Sequence, residues 1–128
     1  MRTAALSLIL SLSVCLFGAF TLSEQAPSFA FSKSTHDFGK VQAGSVVHTT
    51  FEFKNDGDKP LIITDVQVTC GCTTPEYPRK PINPGESAEI KVGFDSNGKS
   101  GNFYKAITLM SNSPNSPTRI FIKGTIQQ

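Results

Sequence analysis

Two cysteines separated by one glycine, Cys70-Gly71-Cys72, are the residues of this chain whose type and spacing point most directly to chemistry. Three readings are open to such a pair. The sulfurs can close a disulfide or cycle as a redox pair, as cysteines of an oxidising compartment do. A bond across one residue closes a very small ring, so the backbone must bend at Gly71, and loop entropy gains little from so short a closure. The sulfurs can instead stay reduced and pack as small hydrophobes at the end of a strand. As thiolates, they are two soft ligands suited to monovalent copper or to zinc. Zinc wants four ligands, and only His36, His48 and Met110 are available to complete a set. His48 falls on the polar side of its strand, where solvation is the commoner role. His36 opens a turn-like stretch and reads equally well as a capping residue. No second two-cysteine motif is present to strengthen a zinc reading.

Elsewhere, catalytic signals are missing. The sequence has no glycine-rich phosphate loop after a strand and no nucleophile elbow. Nothing in it sets a histidine beside a cysteine. The carboxylates are scattered over turns and polar faces, where they read as solvated charge. The sequence thus points to no enzyme and no resident cofactor, with copper as the alternative. One further stretch has the composition of a contact site. Pro75-Glu76-Tyr77-Pro78-Arg79-Lys80-Pro81 is rigid, aromatic and basic, and it follows the cysteines directly. Tyr77, Arg79 and Lys80 are its candidate contact residues. The plainer reading is a proline-stiffened crossover.

The compartment that these cysteines would meet is set by the N-terminus. Met1-Arg2 is charged and Ala4 to Phe20 is apolar but for three serines, the pattern of a secretory signal. The expected signal segment is residues 1–23, with candidate cleavage after Ala19, Ser23 or Ala26. The apolar run also approaches the length of an uncleaved membrane anchor. Cys15 lacks the flanking residues of a lipidation site. The folded part is therefore expected to be exported, periplasmic or secreted, touching a membrane only through an uncleaved N-terminal segment. Formal net charge is +2, from 12 basic and 10 acidic residues without a basic cluster, so nucleic acid is not an expected partner.

From residue 27 to residue 128 the chain reads as short strands divided by turns. In Val46–Lys54, Val47, Thr49, Phe51 and Phe53 share one face while His48, Thr50, Glu52 and Lys54 share the other. In Leu61–Thr69 the same period places Ile62, Thr64, Val66 and Val68 together and carries Cys70 inward. Cys72 keeps that register if the chain stays extended past Gly71. Ile90, Val92 and Phe94 point inward, as do Phe103, Ile107 and Leu109, then Ile120, Ile122 and Ile126. The prolines from Pro75 to Pro84 exclude a central strand there. Gly39, Gly57, Gly85 and Gly98 sit at turns that call for positive φ. With no helical periodicity, the expectation is an all-β, immunoglobulin-like Greek-key sandwich of about seven strands, preceded by an N-terminal signal helix.

The motifs resemble those of a bacterial family of exported domains, domain of unknown function 1573. His36-Asp37-Phe38-Gly39-Lys40-Val41 is similar to its opening signature, Phe53-Lys54-Asn55-Asp56-Gly57 to its second motif, and Thr69-Cys70-Gly71-Cys72-Thr73-Thr74-Pro75 to its most distinctive one. Ile82-Asn83-Pro84-Gly85-Glu86-Ser87, Ser111-Asn112-Ser113 and Lys123-Gly124 match later positions. The resemblance implies an immunoglobulin-like sandwich of the major-sperm-protein type. It implies no settled activity, so a non-catalytic binding or assembly module outside the cytoplasm is the leading expectation. A thiol site in copper binding or redox exchange is the alternative.

Overall fold

A computed structural model describes residues 18–19 and 23–128. The stretch read as a signal, Cys15 included, lies outside the described residues apart from Gly18, Ala19 and Ser23. Eight strands follow: β1 (Phe29–Phe31), β2 (Thr35–Gln42), β3 (Val46–Asn55), β4 (Ile63–Val68), β5 (Thr73–Glu76), β6 (Ser87–Asp95), β7 (Gly101–Ser111) and β8 (Thr118–Gln127). They form two four-stranded sheets, in the orders β1-β3-β6-β5 and β2-β8-β7-β4. Neighbours that are distant in sequence, such as β3 with β6 and β2 with β8, give the Greek-key wiring of an immunoglobulin-like sandwich.

The core follows from alternation. Phe51 and Phe53 on β3 and Ile90, Val92 and Phe94 on β6 come from one sheet; Ile107 and Leu109 on β7 and Ile120, Ile122 and Ile126 on β8 come from the other. All are buried, and each such side chain removed from water stabilises the fold by about 1.5–3 kcal/mol before conformational entropy is counted. Asn55 is the largest of the buried polar side chains, beside Thr73, Ser96 and Ser113. Its amide nitrogen donates to the carbonyls of Lys59 and Ile82, and its Oδ1 accepts from the N–H groups of Ser28 and Gly57. One side chain thereby closes the 55–60 turn and ties it to two other segments; among the described residues no buried side-chain nitrogen or oxygen is left unpaired.

Three expectations need correction. Ile62 and Thr64 do not share the inward face of Val66 and Val68; Ile63 is the buried residue, and a register shift between Ile63 and Asp65 changes the phase. Thr73–Glu76 is an eighth strand despite Pro75. It lies at the edge of its sheet, where proline is tolerated. Gly57 has no positive φ; glycine is needed there because an added Cβ would stand 2.0 Å from the carbonyl oxygen of Ala26.

Each open sheet edge is interrupted or short. β1 has three residues, and β2 and β4 each carry a register shift. On β5, the Asp95 N–H donates to the Cys72 carbonyl, so counting by twos turns the backbone of Thr73 and Pro75 outward. The Thr73 N–H is already taken by the Cys70 carbonyl at 3.3 Å, and Pro75 has none. That edge offers no donor in this stretch to an incoming strand.

Candidate functional site

The cysteine pair occupies the crossover from β4, an edge strand of one sheet, to β5, an edge strand of the other. It caps one open side of the sandwich. β4 ends at Val68 and the chain turns through residues 69–72, closed by the Thr73 to Cys70 backbone bond. Cys72 is therefore not carried on in an extended register. The turn brings the two Cα atoms to 5.3 Å, and a disulfide joins Cys70 to Cys72. Both cysteines are half-buried, and Cys72 packs against the core. Gly71 is exposed with an ordinary φ, and an added Cβ there would meet nothing. The bend is therefore compatible with a side chain at that position.

Sequence reasoning missed Thr73. Its side chain is buried, with Oγ1 4.0 Å from Cys70 Sγ and 3.8 Å from Cys72 Sγ. A hydroxyl beside both sulfurs can donate to whichever becomes a thiolate, which would favour the charged form. A period of two that turns Cys70 and Cys72 inward would have turned Thr73 outward, so the sequence carried no signal of its burial.

The weaker candidates are not assembled around the sulfurs. His36 lies on β2, at the opposite edge of its sheet from β4. Its Nδ1 accepts from the Lys33 ammonium at 2.8 Å, and its ring meets Phe38 edge-on at 4.6 Å. Burial, and then the Lys33 charge, pull its pKa below 6.5 against a raising effect of Asp37. His48 lies on the outer face of β3, its ring against Gly93 of β6. Met110 pairs with Asp65, near the end of β4 remote from Cys70. Among the described residues no three of His, Cys, Asp and Glu are grouped to hold a metal ion.

The proline-rich loop is ordered by its own residues. Tyr77 packs its ring partly against the core, and the Arg79 guanidinium stacks over that ring, 4.2 Å from its centre. Lys80 is exposed beside them. An aromatic and a cation are thus held in a fixed relation at the surface, immediately beyond β5.

A family model described as protein of unknown function (DUF1573) matches residues 29–126. Among solved structures, the chain is similar to a protein of unknown function from Porphyromonas gingivalis W83, with 24% identity and a TM-score of 0.69, over 85% of this chain and 50% of that one. It thus spans about half the length of that protein. The PapD-like domain of human CEP192 matches with 10% identity and a TM-score of 0.61, over 80% of this chain and 87% of that one. The YadV chaperone matches with 15% identity and a TM-score of 0.56, over 78% and 52%. At these identities the likeness is one of fold. A comparison with curated proteins finds no match.

Proposed function

This chain belongs to the DUF1573 family of proteins of unknown function, and we propose that it is a non-catalytic binding or assembly module acting outside the cytoplasm. It meets a protein partner through the loop of Tyr77, Arg79 and Lys80. The observation that carries this reading is the Arg79–Tyr77 stack. Tyrosine and arginine are the residues that most often dominate interfaces, and here prolines and core packing hold them before any partner arrives, which lowers the entropic cost of binding. The interrupted edges favour a loop over strand addition as the mode of contact. The charged-then-apolar N-terminus and the cysteine pair support an extracytoplasmic setting. The chaperone-like neighbours are compatible with binding and carry no partner across to this chain.

The test is a photocrosslinking residue at Lys80 in the full chain, expressed in intact cells, with the same residue at Arg119, exposed on β8 in the other sheet, as control. A discrete adduct is expected from position 80 and not from 119, and Arg79→Ala should remove it. Arg79 is the better substitution because Tyr77 also packs the core. The same adduct with and without Arg79 would reject the loop as the contact.

The Thr73 hydroxyl beside both sulfurs favours a second reading, a thiol site. A dithiol reductant gives two electrons and two protons to the Cys70–Cys72 bond and is itself oxidised to a disulfide; the reverse closes the bond again. The reduced pair would alternatively hold about one monovalent copper ion between two soft ligands. Thiol labelling, native and denatured, with and without reductant and copper, separates these. Cys70→Ser or Cys72→Ser should abolish copper binding with the sheet intact. Native thiols that neither reoxidise nor bind copper would end this reading.

A further inference from the structure

The outer faces of the two sheets differ. That of β3 and β6 presents His48, Glu52, Lys54, Glu89 and Lys91, ordinary solvated charge. That of β7 and β8 presents an aromatic pair. Tyr104 is 61% exposed, and its ring stacks on Phe121 at 5.1 Å with 23° between the planes. Phe121 covers one face of the Tyr104 ring and leaves the other to solvent.

Beside that ring lies an open depression of ≈ 230 Å³, lined by Asp37, Asn102, Lys123 and Thr125 as well as Tyr104. Register explains the grouping. Asp37 pairs with Lys123 and Lys123 with Tyr104, so one row across β2, β8 and β7 puts an acid, a base and an aromatic side by side. The next row places Thr125 opposite Asn102. The Thr125 hydroxyl donates to Asn102 Oδ1 at 2.7 Å, so the Asn102 amide nitrogen keeps its donors for another partner. Asp37 Oδ1 accepts from the Gly39 N–H at 2.8 Å, leaving Oδ2 free. Among the described residues the ion pair is Lys59–Glu24, so Asp37 and Lys123 lie close without neutralising each other in a contact pair.

We propose that this depression binds one pyranose ring of an uncharged glycan. A sugar ring has an apolar C–H face and a rim of hydroxyls, each both donor and acceptor. The open face of Tyr104 carries the negative side of its ring quadrupole, which attracts the sugar's C–H groups. The rim groups are mixed in the way hydroxyls require: Asp37 accepts, Lys123 and Asn102 donate, and Thr125, whose hydrogen is given to Asn102, accepts. Asp37 and Lys123 bring one charge of each sign to the lining, so its formal charge is balanced and the site selects neither an anion nor a cation. Its volume falls below the roughly 300–1,000 Å³ of pockets for drug-sized ligands, which limits the occupant to a single ring. The Phe121 stack fixes the Tyr104 rotamer before binding, so little side-chain entropy is lost on contact.

The test is native gel electrophoresis of the exported protein through gels holding neutral polysaccharides (starch, xyloglucan, mixed-linkage β-glucan, galactomannan), with dextran sulfate as the anionic probe. Retardation is expected in at least one neutral gel and not in dextran sulfate. Tyr104→Ala should weaken it about tenfold, the upper end of one aromatic stacking contact. Tyr104→Phe should preserve it, and Asp37→Asn, which keeps the bond to Gly39, should weaken it. Thermal melts of each variant exclude unfolding. Unchanged mobility in every neutral gel, equal retardation by dextran sulfate, or retention unaffected by Tyr104→Ala would each overturn the proposal. Self-association that Tyr104→Ala abolishes, without retardation, would mark the face as a protein contact and also overturn it. The crosslink at Lys80 is independent of Tyr104, so the loop reading and this one fail separately.

Discussion

The rings of Phe94 and Phe103 stack across the two sheets with centroids 4.1 Å apart and 16° between their planes. Phe103 pairs with Gly124 on β8, and the absent side chain there is what lets its ring settle. A Cβ on Gly124 would stand 2.9 Å from two ring carbons and from the carbonyl oxygen of Gly39. The ring is pinned by Phe94 and the carbonyl belongs to backbone, so neither yields easily. Gly124→Ala should therefore destabilise the domain by about 1–3 kcal/mol, the usual cost of overpacking. Gly71→Ala should stay within about 0.5 kcal/mol of the parent. Urea unfolding of the two variants checks the contrast, and equal effects would refute it.

The strands that alternate cleanly were legible in the sequence. β3, β6 and β8 each bury the residues their period assigns, because one face of each meets the core along its length. β4 misled because a shift in register cannot be read from a hydrophobic pattern in which Ile62 and Ile63 are equally apolar. β5 was hidden because proline lowers the expectation of a strand, while an edge position removes the penalty. At the candidate site, the cysteines and the Tyr77–Arg79 loop were visible by residue type. The role of Thr73 was not, since the turn through residues 69–72, rather than an extended register, sets its hydroxyl beside both sulfurs; nor was the row Asp37–Lys123–Tyr104, which pairing between strands far apart in sequence creates.

The Glu24–Ser28 segment is clasped by the 55–59 turn. Gln25 N–H donates to Asp58 Oδ2 at 2.6 Å, Asp58 N–H returns a bond to the Gln25 carbonyl at 2.8 Å, and Pro27 is buried. A chain beginning at Pro27 loses both bonds, each worth about 0.5–1.5 kcal/mol. It should melt below a chain beginning at Glu24, by several degrees at the usual scale for a domain of this size. Of the three candidate cleavage points, those after Ala19 and Ser23 leave the clasp whole, so under the proposed export a cleaved chain should start at Phe20 or Glu24. Intact-mass measurement of the protein recovered from cell fractions decides this, and a start at Pro27 would refute it.

The Cys70–Cys72 bond encloses so few residues that it restrains the unfolded chain weakly. The chain-entropy relation gives about 1.6 kcal/mol for such a loop, against about 3 for one of 15 residues. The double variant Cys70→Ser/Cys72→Ser should therefore remain folded, with the same sheet signal in circular dichroism and a modestly lower urea midpoint. Loss of the fold would show that the bond, or the packing of Cys72, is needed structurally, and would remove the basis for treating the pair as a chemical site.

Acid should weaken the fold through His36. In the folded state its Nδ1 accepts from the Lys33 ammonium, an arrangement only the neutral ring can make. Protonation removes the acceptor and places two cations together in a partly desolvated spot. Its folded pKa accordingly lies below the usual 6.5, with burial the larger cause and Lys33 the next. Between the lowered folded value and 6.5, the unfolded chain binds more protons than the folded one, so stability rises with pH across that window. The contribution is fully present above 6.5 and is lost as pH falls through the folded value. His36→Gln should flatten that slope, and Lys33→Gln should reduce it. Urea midpoints at pH 7.5 and pH 5 measure all three proteins. A decline on acidification that is as steep in His36→Gln as in the parent would assign the effect to other groups.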